Sequence, residues 1–156
     1  MSKVFEDEFM EIQSDMIGLC MELLDVIERT ADKVFAYGSN EKSDKSFNAF
    51  FEINGEIKTL GKLKMPPDMV DEFLRLGIED IQRLDPLSKQ YDRPVPTELR
   101  LYYDVQTGKF SADYKYEEVC TGETGVLSSD VFMDWVEEEK RKRGAGCKSW
   151  RDIFQR

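Results

Sequence analysis

The sequence of 156 residues contains no histidine. This absence removes the Ser–His and Cys–His catalytic pairs, the histidine ligands of most zinc enzymes and the Glu-x-x-His pairs of di-iron helical bundles. Paired carboxylates can hydrolyse glycosides without histidine, but nothing in the pattern of the 32 acidic residues marks one pair as buried or tuned. We therefore expect no enzymatic activity, no metal and no cofactor.

Cysteine is scarce and long apolar runs are absent. Cys20, Cys120 and Cys147 are odd in number and widely spaced, which matches neither a disulfide framework nor a C-x-x-C metal site. No segment approaches the roughly 18 apolar residues of a membrane helix, and the first residues lack the pattern of a secretory signal. We expect a cytoplasmic protein that does not bind membranes.

Basic residues are few in most of the chain and concentrated at one end. The total of 22 basic against 32 acidic residues gives a net charge of −10. Residues 140–156 carry +6, so residues 1–139 carry −16. We interpret 1–139 as a single acidic α+β domain and 140–156 as a basic C-terminal tail that could dock on it. This balance disfavours direct binding of nucleic acid and favours a basic partner.

The first part of the chain has the periodicity of a helix. Apolar residues recur at alternating steps of four and three from Phe5 to Val26, which predicts an amphipathic helix over about 4–31. The same spacing fits a coiled-coil seam, through which a homodimer could form. The apolar stripe is wide, however, and this favours packing on a sheet.

Five strands and two further helices follow in the predicted order. Strands are expected at 33–38, 46–53 and 56–63, with a hairpin turn at Asn54-Gly55, and a helix is expected from Asp68 to Leu84. Residues 85–96 are expected to form a loop before a second hairpin, and 144–149 a flexible hinge after a last helix through "VFMDWVEEEKRKR". The order α-βββ-α-ββ-α predicts an α+β fold, with an antiparallel sheet of about five strands and helices mainly on one face.

The second hairpin, "ELRLYYDVQTGKFSADYKYEEV", has strict period-two alternation in its second strand. Phe110, Ala112, Tyr114 and Tyr116 share one side of this strand, and Ser111, Asp113, Lys115 and Glu117 share the other. This hairpin resembles that of the YezG-like immunity proteins, a family that includes the EsaG-type antitoxins. The long first helix, "ADKVFAYGS", the "FFEI" strand, the acidic second helix after Pro66-Pro67 and the late helix at Trp135 resemble the same family in the same order.

The resemblance implies an immunity protein that binds and neutralises a cognate secreted polymorphic toxin, with a nuclease as the expected class. The partner would then be a basic toxin domain held in a stoichiometric complex. We expect the acidic and aromatic end of the hairpin to contact it, through Tyr102, Asp104, Asp113, Tyr116, Glu117 and Glu118. The acids of the first helix, Asp7, Glu8, Glu11 and Asp15, form a rival face.

Two alternatives stay open from the sequence. The hairpin aromatics could serve the core, and its acids could simply keep the sheet edge soluble. The protein could also be a non-inhibitory adaptor or a secretion chaperone that escorts a basic partner.

Overall fold

The computed structural model describes residues 4–41, 44–117, 119 and 127–154, with only the backbone for Asp44 and for 144–154. A helix α1 is followed by three strands, a 3₁₀ turn, two helices, two strands and a final helix. The helices are α1 (Phe5–Val26), α2 (Pro67–Gln82), α3 (Leu84–Gln90) and α4 (Ser128–Phe154). The strands are β1 (Lys33–Glu41), β2 (Asp44–Ile53), β3 (Glu56–Thr59), β4 (Glu98–Asp104) and β5 (Phe110–Lys115).

The five strands form one antiparallel sheet in the order β3-β2-β1-β4-β5. β1 lies at its centre, where Tyr37 pairs with Asn48 of β2 and with Arg100 of β4. Asn54 and Gly55 join β2 to β3 with φ values of 52° and 80°, the left-handed conformation that a two-residue hairpin turn requires. The predicted fold class, the number of strands and their antiparallel arrangement are confirmed.

Three helices cover one face of this sheet. The apolar stripe of α1 is buried against it, and so are the inner faces of α2 and α3. Met16 and Cys20 are completely buried. The stripe that could have paired with a second copy is therefore part of the protein's own core.

A second, smaller core lies on the opposite face of the sheet. α4 alone covers it among the described helices, by packing Val131, Phe132, Trp135 and Val136 on Phe35, Tyr37, Phe50 and Ile57. Trp135 is only 1% exposed and contacts the Phe50 ring edge-on at 4.9 Å between centroids. The helices thus lie mainly on one face, as predicted.

Several predicted boundaries were wrong for local reasons. The expected loop after residue 84 contains α3, because Pro86 lies in a first turn, where no helical N–H bond is lost, and Leu87 is buried. β3 ends at Thr59, and Leu60 and Leu63 enter a 3₁₀ turn whose three-residue period brings both into the core.

The two long helices also differ from their predicted lengths. α1 ends at Val26, and Glu28 follows in the left-handed conformation. α4 continues to Phe154, so residues 144–149, expected as a hinge, are helical. A glycine inside a helix costs only about 1 kcal/mol relative to alanine, so Gly144 and Gly146 do not force an end.

Candidate functional site

Three of the six hairpin residues predicted from the sequence lie together. Tyr102 and Asp104 on β4 and Asp113 on β5 line a groove of about 450 Å³ between the hairpin and the second half of α4. α4 packs mainly over β1, β2 and β3, and among the described residues it covers the β4–β5 side less completely, which forms the groove beside the hairpin. This is the surface on which we expected a partner.

Tyr102 is engaged with its own protein. Its ring meets the Trp135 ring edge-on at 5.4 Å, and its hydroxyl donates a hydrogen bond of 2.9 Å to Oδ2 of Asp113. Burial, and then the hydrogen bond to Asp113, raise the pKa of Tyr102 well above its usual range. The hydroxyl therefore stays protonated as a fixed donor, and the ring belongs to the second core.

The hairpin acids also have local contacts. Asp104 Oδ1 accepts the backbone N–H groups of Gln106 at 3.0 Å and Thr107 at 3.2 Å, which caps the turn between β4 and β5. Asp113 is exposed and accepts the Tyr102 hydroxyl. Both carboxylates thus have a structural use that does not depend on a partner.

The other predicted hairpin residues do not line this groove. Tyr116 follows the end of β5 and is 51% exposed, and Glu117 is exposed next to it. Glu118 lies outside the described residues. The structure therefore brings half of the predicted set together and places Tyr116 and Glu117 beyond the end of the strand.

The electrostatics of the hairpin groove differ from the acidic surface that the sequence suggested. Its walls also carry Lys33, Lys109, Lys142 and Arg143. Arg143 Nε lies 2.5 Å from Glu52, and Arg143 Nη1 lies 3.0 Å from Glu139. Charges of both signs alternate around this groove, so it offers no general attraction to a basic surface.

The two described helices with the largest excess of acidic residues, α1 and α2, lie on the other side of the sheet. α1 carries seven acidic residues and no basic residue, and α2 carries five acidic residues and one basic residue. The sequence indicated the acids of α1 as a rival face but did not reveal that those of α2 lie beside them. The sequence shows the acidic excess of each helix, but it does not show that the two helices pack side by side.

A groove of about 480 Å³ separates the two helices. Its floor contains Leu19 and Leu76, both half-buried, together with Gly18. Four carboxylates stand around this floor: Asp15, Glu22, Glu79 and Asp80. We call these residues, together with Ser14, the α1–α2 groove.

Arg83 closes one end of the α1–α2 groove. Its Nη1 lies 2.7 Å from Asp15 and 3.1 Å from Asp80, and the hydrogen bond to Asp15 is the main reason why the pKa of Arg83 is raised. The pKa of Asp80 is raised as well, first by burial and then by the neighbouring carboxylates Asp15 and Glu79, despite the bond to Arg83. Arg83 and Arg75, which pairs with Glu79, supply two positive charges against the four carboxylates, so the groove keeps an acidic excess.

The comparisons with known proteins do not extend this picture. No protein-family model matches the chain, and no curated protein matches it.

Within the described part of the chain, no group of three or more carboxylate or thiol side chains could hold a metal ion. Across the same residues, no helix has the length and apolar character needed to cross a membrane.

Proposed function

We propose that this protein is an immunity protein that binds a basic toxin domain, a nuclease being the expected class, and keeps it inactive in a stoichiometric complex. The observation that carries the proposal is the acidic α1–α2 face. Its two helices together carry twelve acidic residues and one basic residue. The resemblance of the hairpin and of the element order to YezG-like immunity proteins supports the same function.

The charge of this face supports rapid capture of a basic partner. A nuclease attracts phosphate with clustered Lys and Arg side chains, and a surface of opposite charge steers such a protein into an encounter complex. Asp7, Glu22 and Asp25 make no ion pair among the described residues and are exposed. These three carboxylates are therefore accessible to a partner.

The α1–α2 groove gives this acidic face a depression with an apolar floor. Leu19 and Leu76 give it an apolar floor, which can bury the stem of a partner's Lys or Arg side chain while the carboxylates at the rim meet the charged end. We therefore favour the α1–α2 groove over the hairpin groove as the toxin-binding surface. The hairpin residues Tyr102, Asp104 and Asp113 have local structural contacts, and the charges around them are mixed.

Co-expression with the cognate toxin domain tests the function. The proposal expects cells to survive and a one-to-one complex to co-purify. A complex without protection would support the alternative, in which the protein is an adaptor or secretion chaperone for a basic partner. The absence of any complex would contradict both functions.

Charge reversal at two positions tests the surface. Glu22→Lys with Glu79→Lys changes both walls of the α1–α2 groove, where both side chains are exposed. A matched control, Asp134→Lys with Glu137→Lys, makes the same change in net charge on exposed positions of α4. We expect the first variant to slow association and weaken binding at least tenfold, and the control to bind nearly as the wild type does.

A third variant separates the two candidate surfaces. Charge reversal at Asp113 and Glu117, both exposed on the hairpin, is expected to leave binding unchanged. If this variant loses the toxin while the Glu22 and Glu79 variant keeps it, the interface lies on the hairpin and our choice of surface is wrong.

A further inference from the structure

The two edges of the sheet differ in how they are covered. β3 has four residues, leads directly into the 3₁₀ turn and contacts α4. β5 has six residues, contains no proline, and pairs with β4 on one side; no described strand lies on its other side. An uncovered edge of this kind presents unpaired backbone groups to another chain.

The chain that follows β5 leads away from this edge. The Glu117 carbonyl accepts the Thr97 hydroxyl at 2.5 Å, and the Val119 N–H donates to Glu41 at 3.3 Å. Glu41 lies at the end of β1, two strands inward. Glu117 and Val119 thus lie toward the inner strands, and no described strand pairs with the outer edge of β5.

The register identifies the groups that face outward. The Asp104 N–H donates to the Lys109 carbonyl at 2.9 Å, and the Thr97 N–H donates to the Lys115 carbonyl at 2.8 Å. Alternate residues of an antiparallel strand bond to the same neighbour, so 109, 111, 113 and 115 bond to β4. The N–H and C=O groups of Phe110, Ala112 and Tyr114 therefore point away from the sheet.

We propose that β5 pairs antiparallel with β5 of a second copy of this chain, with Ala112 opposite its counterpart on a two-fold axis. The two five-stranded sheets then join into one sheet of ten strands. In this register the outward groups at 110, 112 and 114 all find backbone partners. This proposal rests on the sheet edge and is independent of the toxin-binding function.

The side chains of residues 110–114 fit the same register on both faces. Phe110 comes to lie opposite Tyr114 of the second copy; both are half-buried against the larger core, and aromatic cross-strand pairs stabilise a sheet. On the other face, Ser111 comes to lie opposite Asp113 of the second copy, with Lys109 diagonal to that carboxylate. At each end of the pair, however, Lys109 comes to lie opposite Lys115 of the second copy, and this like-charge contact weakens the association most at low salt.

The association is expected to be weak and to depend on conditions. A strand pair of this length buries less area than a standard interface of about 1,600 Å². Each copy also carries a net charge of −10, so the two copies repel one another at low salt. Dimer formation should therefore increase with protein concentration and with ionic strength.

Two substitutions at one exposed position test the register. Ser111→Glu places a carboxylate opposite Asp113 of the second copy, twice in each dimer, whereas Ser111→Lys places an ammonium group there. Sedimentation equilibrium of the full chain at about 0.3 M salt should show a monomer–dimer equilibrium for the wild type. We expect Ser111→Glu to raise the dissociation constant about tenfold and Ser111→Lys to lower it.

Amide hydrogen exchange locates the interface independently. The amides of Phe110, Ala112 and Tyr114 should become more protected as protein concentration rises, while those of Ser111 and Asp113, already bonded to β4, should not change. A protein that stays monomeric up to millimolar concentration overturns the proposal. So does a dimer that responds to neither substitution and leaves the Ala112 amide unprotected, since its interface would lie elsewhere.

Discussion

Replacing Gly77 with alanine tests the packing of α2 on the sheet. Gly77 is a buried residue in the middle of this helix. A Cβ at this position would lie 2.0 Å from Cδ2 and 2.2 Å from Cγ of Phe47. An ordinary carbon–carbon contact is about 3.5–4.0 Å, so either the Phe47 ring or the helix axis must move by more than 1 Å.

The expected cost comes from two opposing effects. Alanine favours a helix over glycine by about 1 kcal/mol, while forcing an extra carbon into a packed core costs about 1–3 kcal/mol and occasionally more. Phe47 is 3% exposed and packs edge-on against Phe73 at 5.3 Å, so its ring has little room to turn. With Cγ itself in the way, we place the steric cost at the upper end and expect a net destabilisation of about 2 kcal/mol.

Urea unfolding followed by circular dichroism measures this change. Gly18→Ala is the matched control, because Gly18 is an exposed position within α1 and an added Cβ would meet no atom within 4 Å. This control should be more stable than the wild type by up to about 1 kcal/mol. If Gly77→Ala is as stable as the control variant, then α2 does not approach β2 this closely and the packing argument fails.

Three further predictions concern other parts of the protein. Glu139 is 5% exposed; burial raises its pKa, but the bonds from Lys142 and Arg143 outweigh burial and leave the pKa lowered. Glu139 therefore binds a proton less readily in the native state than in the unfolded chain. Glu139→Gln should lower the free energy of unfolding by about 1–2 kcal/mol at pH 7, and this loss should shrink as the pH falls below 4.5. Urea titrations at several pH values measure both effects. Burial raises the pKa of the Cys20 thiol, so this thiol should react with a thiol reagent only after unfolding, and labelling in the native state would contradict its position. Trp135→Ala should cost about 3–5 kcal/mol by removing the centre of the second core, and a loss below 1 kcal/mol would mean that α4 is not packed there.

Periodicity was enough to predict most of the fold. The Asn54-Gly55 turn and the alternation through Phe110, Ala112 and Tyr114 determine the two hairpins, because a turn and a two-residue period leave one register in which apolar residues face the core. The apolar stripe of α1 likewise predicted the face that the sheet buries. These patterns involve residues that are close together in the chain, so a single sequence is enough to recognise them.

Long-range packing set the features that the sequence did not reveal. Glycine is a weak helix former, so the sequence marks Gly77 only as an unfavourable helix position, whereas in the fold it is the point where α2 approaches Phe47. The hairpin acids looked available to a partner, whereas Asp113 accepts a bond from Tyr102 and Asp104 caps a turn. Each of these roles depends on a residue of another element or on the exact path of the backbone, which composition and spacing do not encode.

The α1–α2 groove carries charge that the fold itself does not need. Arg83 bonds Asp15 and Asp80, and Arg75 pairs with Glu72 and Glu79 on α2. The remaining like charges repel, and the raised pKa of Asp80 reflects this repulsion together with burial.

Charge reversal in this groove should therefore affect stability and binding in opposite directions. Glu22→Lys alone relieves the repulsion without breaking the pair between Arg75 and Glu79, so this variant should fold at least as stably as the wild type while it binds a basic toxin less well. A face that served solubility alone would show the change in stability without the loss of binding. Measuring both quantities on this variant thus separates a surface shaped by a partner from one that only keeps the protein dissolved.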